Sequence, residues 1–251
     1  MMEELFYKLK SVRLSGMTHK LNIRLQEAEA NELPYLEFLD NLIEDELEIR
    51  QERLLNRRMK QAKFPFLKTV ADFDFSFNLS VNKQQIKKLA TSAFIANFEN
   101  ILMIGPPGVG KTHLAVAFGI EAIQKGFTVL YRSTFDVASE IIQFQNQLIE
   151  TFLKPQLLVI DELGMKNLSQ AANEILLEII HRRYQKASTI IATNCPIEDW
   201  GKIFGDNATA SAILDRFLEN IHFLKITGKS YRLKNLKVKE QKIVDSKQNN
   251  H

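Results

Sequence analysis

The run Ile101-Leu102-Met103-Ile104-Gly105-Pro106-Pro107-Gly108-Val109-Gly110-Lys111-Thr112-His113 decides how the chain folds. Ile101–Ile104 is apolar at every position, as suits a strand buried on both faces of a parallel sheet. Gly105 to Thr112 fits the pattern Gly-x-x-x-x-Gly-Lys-[Ser/Thr], placed between that strand and a helix expected over Thr112–Lys125. Glycines let the backbone wrap so that successive N–H groups face phosphate oxygens, and the following helix adds its positive end. The reading is an ATP site formed by Gly105, Pro106, Pro107, Gly108, Val109, Gly110, Lys111, Thr112 and His113. In it Lys111 reaches the β- and γ-phosphates and Thr112 is a ligand of Mg²⁺.

Outward from this run, short apolar stretches at Thr128–Tyr131, Leu157–Ile160, Thr189–Ala192 and His222–Ile226 read as four further strands. Helical patterns over Phe135–Phe152 and Gln170–Lys186 separate them, so the expected core is α/β, a five-stranded parallel sheet flanked by helices. Leu157-Leu158-Val159-Ile160 ends in Asp161-Glu162, two acids at the carboxyl end of a strand, where open α/β sheets bind ligands. Asp161 is read as the second Mg²⁺ ligand, and Glu162 as the group that activates or orients the attacking water. Asn194, after Thr189–Thr193, is placed to meet the γ-phosphate or that water, with an ordinary turn before Pro196 as the other reading. Cys195 reads as a small packed apolar residue, because no activating partner is visible.

The amino-terminal region differs in kind. From Met1 to about Lys63 it reads as helix throughout, a small all-helical domain over residues 1–66, with Leu36, Leu39, Ile43, Leu47 and Leu54 on one face that requires a partner. Its acids cluster at Glu44, Asp45, Glu46 and Glu48, and Arg50, Arg53, Arg57, Arg58, Lys60 and Lys63 follow. Such segregation serves either a solvated helix or a surface for phosphate backbone. Phe64-Pro65-Phe66 ends the helix, and residues 67–99 read as linker and lead-in helix. Within them Phe73, Phe75 and Phe77 alternate with polar residues, a pattern that favours packing on the next domain over stacking on nucleic acid. The ATPase domain is expected over 100–239, with a disordered tail over 240–251.

Composition excludes little else. The net charge of +3 is too small to imply nucleic-acid binding by itself. Cys195 is the only cysteine, so no internal disulfide and no Cys/His zinc framework can form, and a reducing, cytoplasmic setting without membrane spans is expected.

Several segments carry a resemblance more specific than the phosphate loop. They are His113-Leu114-Ala115, Asp161-Glu162-Leu163-Gly164, Arg182-Arg183-Tyr184, Thr193-Asn194, Leu214-Asp215-Arg216 and Gly228-Lys229-Ser230-Tyr231-Arg232, with Arg13-Leu14-Ser15-Gly16-Met17 in the arm. In this order the chain resembles the IstB-like transposition helper ATPases of the AAA+ class, beside the DnaC-like helicase loaders. The resemblance implies an AAA+ core without the usual helical lid, hydrolysis of ATP, and ATP-promoted head-to-tail self-assembly on double-stranded DNA. It also implies a partner transposase; the alternative is a loader that docks a replicative helicase. It assigns Arg216 to a neighbouring subunit's nucleotide and Arg232 to nucleotide sensing or the subunit interface, the competing reading of Arg232 being a basic surface with Lys225, Lys229, Lys234, Lys237 and Lys239. Related ATPases contact DNA through an inserted helical element, yet between Phe135 and Pro155 the only cation is Lys154. DNA contact there would fall to backbone amides and to Ser139, Gln143, Gln145 and Asn146.

Overall fold

A computed structural model describes residues 2–144, 149–165, 168–204 and 208–233 of the chain, which divides into two compact units, Met1–Arg58 and Met59–His251. The expected tail over 240–251, and Lys234, Lys237, Lys239, Gln145 and Asn146, lie outside the described residues.

The first unit holds α1 (Met2–Ser11), α2 (Ser15–Asn31) and, as far as Arg58, α3 (Tyr35–Ala62), which starts directly after Pro34. The face of α3 that is buried carries Leu42, Asp45 and Glu46. Leu36, Leu39, Ile43 and Leu47, the face that requires a partner, are exposed, Leu36 by 81% and Leu47 by 59%. Burial of the two acids is offset by specific bonds. Arg24 donates two hydrogen bonds to Asp45, 2.8 and 2.9 Å, and holds its carboxyl below the usual aspartate range. Burial opposes the charge on Glu46, but Arg50 and the Gly16 and Met17 amides outweigh it and keep that carboxyl below its ordinary value. Glu46 thereby acts as a cap for α2 from another helix, since the first amides of a helix have no intrahelical acceptor.

The second unit is the α/β core. Its strands are β1 (Asn100–Ile104), β2 (Val129–Ser133), β3 (Leu157–Leu163), β4 (Ser188–Thr193) and β5 (Ile221–Lys225), all parallel, in the order β2-β3-β4-β1-β5. The helices are α4 (Lys83–Ala90), α5 (Ala93–Ala96), α6 (Lys111–Gln124), α7 (Thr134–Phe144), α8 (Ile149–Leu153), α9 (Gln170–Arg183), α10 (Trp200–Phe204) and α11 (Ala208–Glu219). The five parallel strands and the helices around α6 and α9 agree with the sequence expectation; of the helix expected over Phe135–Phe152, residues 145–148 lie outside the described residues and α7 and α8 cover the rest.

Local chemistry explains the main boundaries. Asn82 caps α4 by accepting from the Gln84 and Gln85 amides, and Ser169 caps α9 by accepting from Ala172 N–H. Helix α6 buries every residue from Leu114 to Ile120, which suits a helix packed between the sheet and other helices. Arg183 closes the amino-terminal edge of the sheet. Its buried guanidinium donates to the carbonyls of Phe152, Pro155 and Ser188, and burial pulls its pKa down to about 9.

Candidate nucleotide site

The carboxyl ends of β1, β3 and β4 carry the residues singled out above. β4 lies between β1 and β3, so the phosphate loop and the Asp161-Glu162 pair flank Asn194. The loop leaves β1 beside β4: Ile104 pairs with Thr193, and the Gly105 amide donates to Thr193 O at 3.2 Å. Asn194, one residue further, is exposed at this edge.

The turn itself needs glycine. Gly108 has φ +81° and Gly110 has φ +106°, both in the left-handed region that side chains disfavour. A Cβ at Gly108 would strike Ser230, and one at Gly110 would strike the Phe73 ring. Tyr231 N–H donates to Gly108 O at 2.9 Å, so the Gly228–Arg232 segment is laced onto the loop.

Lys111 opens α6 and donates to Gly105 O at 2.7 Å and Pro106 O at 2.9 Å. Burial lowers its pKa, Asp161 acts against that, and Arg232 adds to it. Arg232 also draws down the pKa of Glu162, so its charge bears on both residues. His113 donates from Nε2 to Thr69 O at 2.8 Å, because a carbonyl can only accept, and burial lowers the pKa of the ring. Lys111, Thr112, His113 and Arg232 line a cleft of about 250 Å³ whose other wall is Phe66, Lys68, Asp72, Phe73 and Asn78.

Asp161 is 2% exposed, and each of its carboxylate oxygens accepts a bond. Tyr131 Oη donates to Oδ2 and Glu162 N–H to Oδ1, both at 2.8 Å. Glu162 has φ +63°, a backbone state that costs a non-glycine residue about 1–3 kcal/mol. The β3–β4 register shifts between Ile160 and Leu163, so the two acids sit on a bulge that turns the strand end. Burial, then the charge of Asp161, raises the Glu162 pKa above the ordinary glutamate value.

Arg216 is not brought to this site. It lies exposed on α11 in a recess shared with Asn100, Tyr184 and Phe217. Asn100 begins β1 and Gly105 follows its end, so a strand length of about 16 Å separates that recess from the loop along the sheet. Arg232, by contrast, joins the cleft.

Sequence reading missed some of the supports. Asn78 is buried and donates to Val109 O at 3.1 Å, and Phe73 is buried edge-on to His113. The aromatic alternation signalled packing but not its target, which only the tertiary fold supplies. Tyr131 looked like any buried strand residue.

The family model described as IstB-like ATP binding protein matches residues 7–239. An insertion sequence IS21 putative ATP-binding protein of Pseudomonas aeruginosa is 36% identical over 239 residues, covering 93% of this chain and 90% of that one. An IS5376 putative ATP-binding protein of Geobacillus stearothermophilus is 35% identical, covering 93% and 95%. Among solved structures, DnaI superposes with TM-score 0.53 at 20% identity, covering 64% of this chain and 91% of that one. AMPPCP-bound DnaA from Aquifex aeolicus does so with TM-score 0.55 at 21% identity, covering 72% and 56%. Likeness at these identities carries the fold, a phosphate-loop domain with a central parallel sheet, while the matches in sequence carry the family. With the loop, the strand-end acids and the sheet order all in place, the chain belongs to the IstB-like ATP-binding proteins, and its core is a P-loop domain of the AAA+ class.

Proposed function

We propose that the protein hydrolyses ATP, that ATP joins copies head to tail on double-stranded DNA, and that the assembly assists a partner transposase in moving an insertion sequence. One observation carries the assembly. The phosphate loop, Asp161, Glu162, Asn194 and Arg232 gather at one edge of the sheet, whereas Arg216 stands exposed at the other. A head-to-tail neighbour can bring its own Arg216 to the first copy's phosphates, and such a contact repeats into a ring or filament.

In this account Lys111 leaves the Gly105 and Pro106 carbonyls for the β- and γ-phosphates, and the loop amides cradle the same oxygens. Glu162, with its charge disfavoured by burial, accepts a proton from or orients the attacking water, and Asn194 steadies the γ-phosphate or that water. Thr112 and Asp161 offer a hydroxyl and a carboxylate, a donor set that fits Mg²⁺, which takes its remaining ligands from phosphates and water. When bound, Mg²⁺ neutralises charge on the transferring phosphoryl group. Guanidinium at Arg216 suits the same task from the neighbour, being permanently charged.

The names of the relatives, ATP-binding proteins of insertion sequences, favour transposition over helicase loading. The exposed apolar row Leu36, Leu39, Ile43 and Leu47 on α3 is a surface on which a partner protein can dock. Arg53, Arg57 and Lys60 on α3, with Lys225 and Lys229, supply cations for DNA phosphates. Light scattering of the purified protein with and without ATP and duplex DNA tests the reading. The mass should rise only with both present, and Arg216→Ala should abolish the rise; an unchanged mass in the wild type contradicts it.

A further inference from the structure

Tyr131 takes no part in the chemistry described so far, yet its phenol is buried at the metal-side acid. We infer that Tyr131 is a positioning residue for Asp161, holding that carboxylate in the orientation from which it receives a phosphate-bound divalent cation. This rests on the proposed role of Asp161 and names a residue that serves it.

The geometry begins in the sheet. Tyr131 in β2 pairs with Val159 in β3, and Asp161 stands two residues beyond Val159. Strand side chains alternate, so Tyr131, Val159 and Asp161 share one face of the sheet, and a long side chain from Tyr131 reaches the diagonal neighbour. Tyr131 is 6% exposed and Asp161 2%, so water does not compete for their bond. Oη donates to Oδ2 at 2.8 Å while the Glu162 amide donates to Oδ1 at 2.8 Å. With both oxygens engaged, the carboxylate cannot rotate without breaking a bond. Thr134 Oγ1 donates to Asp161 O at 2.9 Å and pins the backbone of the same residue.

Two of about four acceptor sites on the carboxylate are thereby used, which leaves lone pairs for a cation. The ring is held by Phe64, which meets it edge-on at 6.3 Å between centroids. Removing the hydroxyl alone therefore leaves the packing in place. The orientation also reaches Glu162, since the oxygen opposite Tyr131 bonds the amide of that left-handed residue.

Tyr131→Phe in the full-length protein separates a positioning role from a structural one. In EDTA, affinity for a fluorescent ATP analogue should stay within about twofold of wild type, because the loop is untouched. Affinity of the ATP complex for Mn²⁺, read by electron paramagnetic resonance, should fall about ten- to a hundredfold, as for other partners of metal ligands. The Mg²⁺ concentration for half-maximal turnover should rise in step, with excess Mg²⁺ recovering most of the rate. Unchanged Mn²⁺ affinity, or an equal loss of nucleotide affinity in EDTA, overturns the inference. If the variant does not fold, 3-fluorotyrosine placed at position 131 gives the second reading. Its ¹⁹F resonance should shift when Mg²⁺ joins the ATP complex, and a resonance indifferent to Mg²⁺ overturns the inference. Wild-type protein that fails to bind ATP removes the proposed function itself, whereas a wild type that binds and hydrolyses beside an indistinguishable Tyr131→Phe removes only this role.

Discussion

Glu162 stands in a backbone and charge environment that opposes it, in keeping with the role proposed for it. Its φ of +63° and its raised pKa, due first to burial and then to Asp161, both oppose a charged glutamate at this point. A carboxyl whose folded pKa is raised contributes stability at pH below its unfolded value, and that contribution is lost as pH rises through the folded value. Glu162→Gln should accordingly raise the melting temperature slightly at neutral pH, while lowering turnover at least about a hundredfold and leaving ATP binding intact. Scanning calorimetry beside a phosphate-release assay checks both. Gly108 presents the opposite case, a residue chosen for lacking a side chain. Its left-handed φ alone should make Gly108→Ala cost about 1–3 kcal/mol, and the Ser230 contact adds to that, so ATP affinity and melting temperature should fall together.

Elements were legible in proportion to how local their cause is. The uniformly apolar run Leu157–Ile160 announced β3, and the phosphate loop announced α6, because strand burial and glycine chemistry are written in neighbouring residues. The continuation of β3 to Leu163 through a bulge was not, since it depends on Thr193 Oγ1 donating to Leu163 O across the sheet. On α3 the apolar periodicity marked a face that requires a partner, but the face that the helix buries was not legible. The helix buries a face with Asp45 and Glu46, and their partners Arg24 and Gly16 lie far away in sequence. Replacing Glu46 by Ala should destabilise the first unit by about 2 kcal/mol, by leaving the Gly16 and Met17 amides without their acceptor. Because the folded pKa of Glu46 is depressed, its stabilisation is present above the unfolded glutamate pKa and lost as pH falls through the folded one. Circular dichroism during an acid titration should show the wild type losing helix below the ordinary glutamate range and Glu46→Ala losing that dependence. The segment around Phe73 makes a similar point for the site, since its aromatics spoke of packing while Gly110 and His113 as the target came only from tertiary structure.

At the scale of the whole molecule, the phosphate loop after β1, Asp161 and Glu162 at the end of β3 and Asn194 after β4 stand at one edge of the sheet, and the sheet order explains why the sequence could group them. Each acid or amide stands just past an apolar strand, and in a parallel sheet all such ends face the same way. Arg216 breaks that pattern by sitting at the opposite edge, which no strand-end rule assigns. If its place is in a neighbour's site, a mixture of Lys111→Ala and Arg216→Ala proteins should recover part of the turnover that each lacks alone. Interfaces that join one variant's intact loop to the other's intact arginine account for the recovery.

The account stands on triphosphate being held by the loop through Lys111. Calorimetric titration of ATP into wild-type and Lys111→Ala protein, with melting temperatures to confirm that both are folded, tests this most directly. The account predicts that wild type binds and Lys111→Ala loses at least about a hundredfold in affinity, the loss of a charge-assisted contact in a partly buried site. Equal affinity in two folded proteins would contradict it.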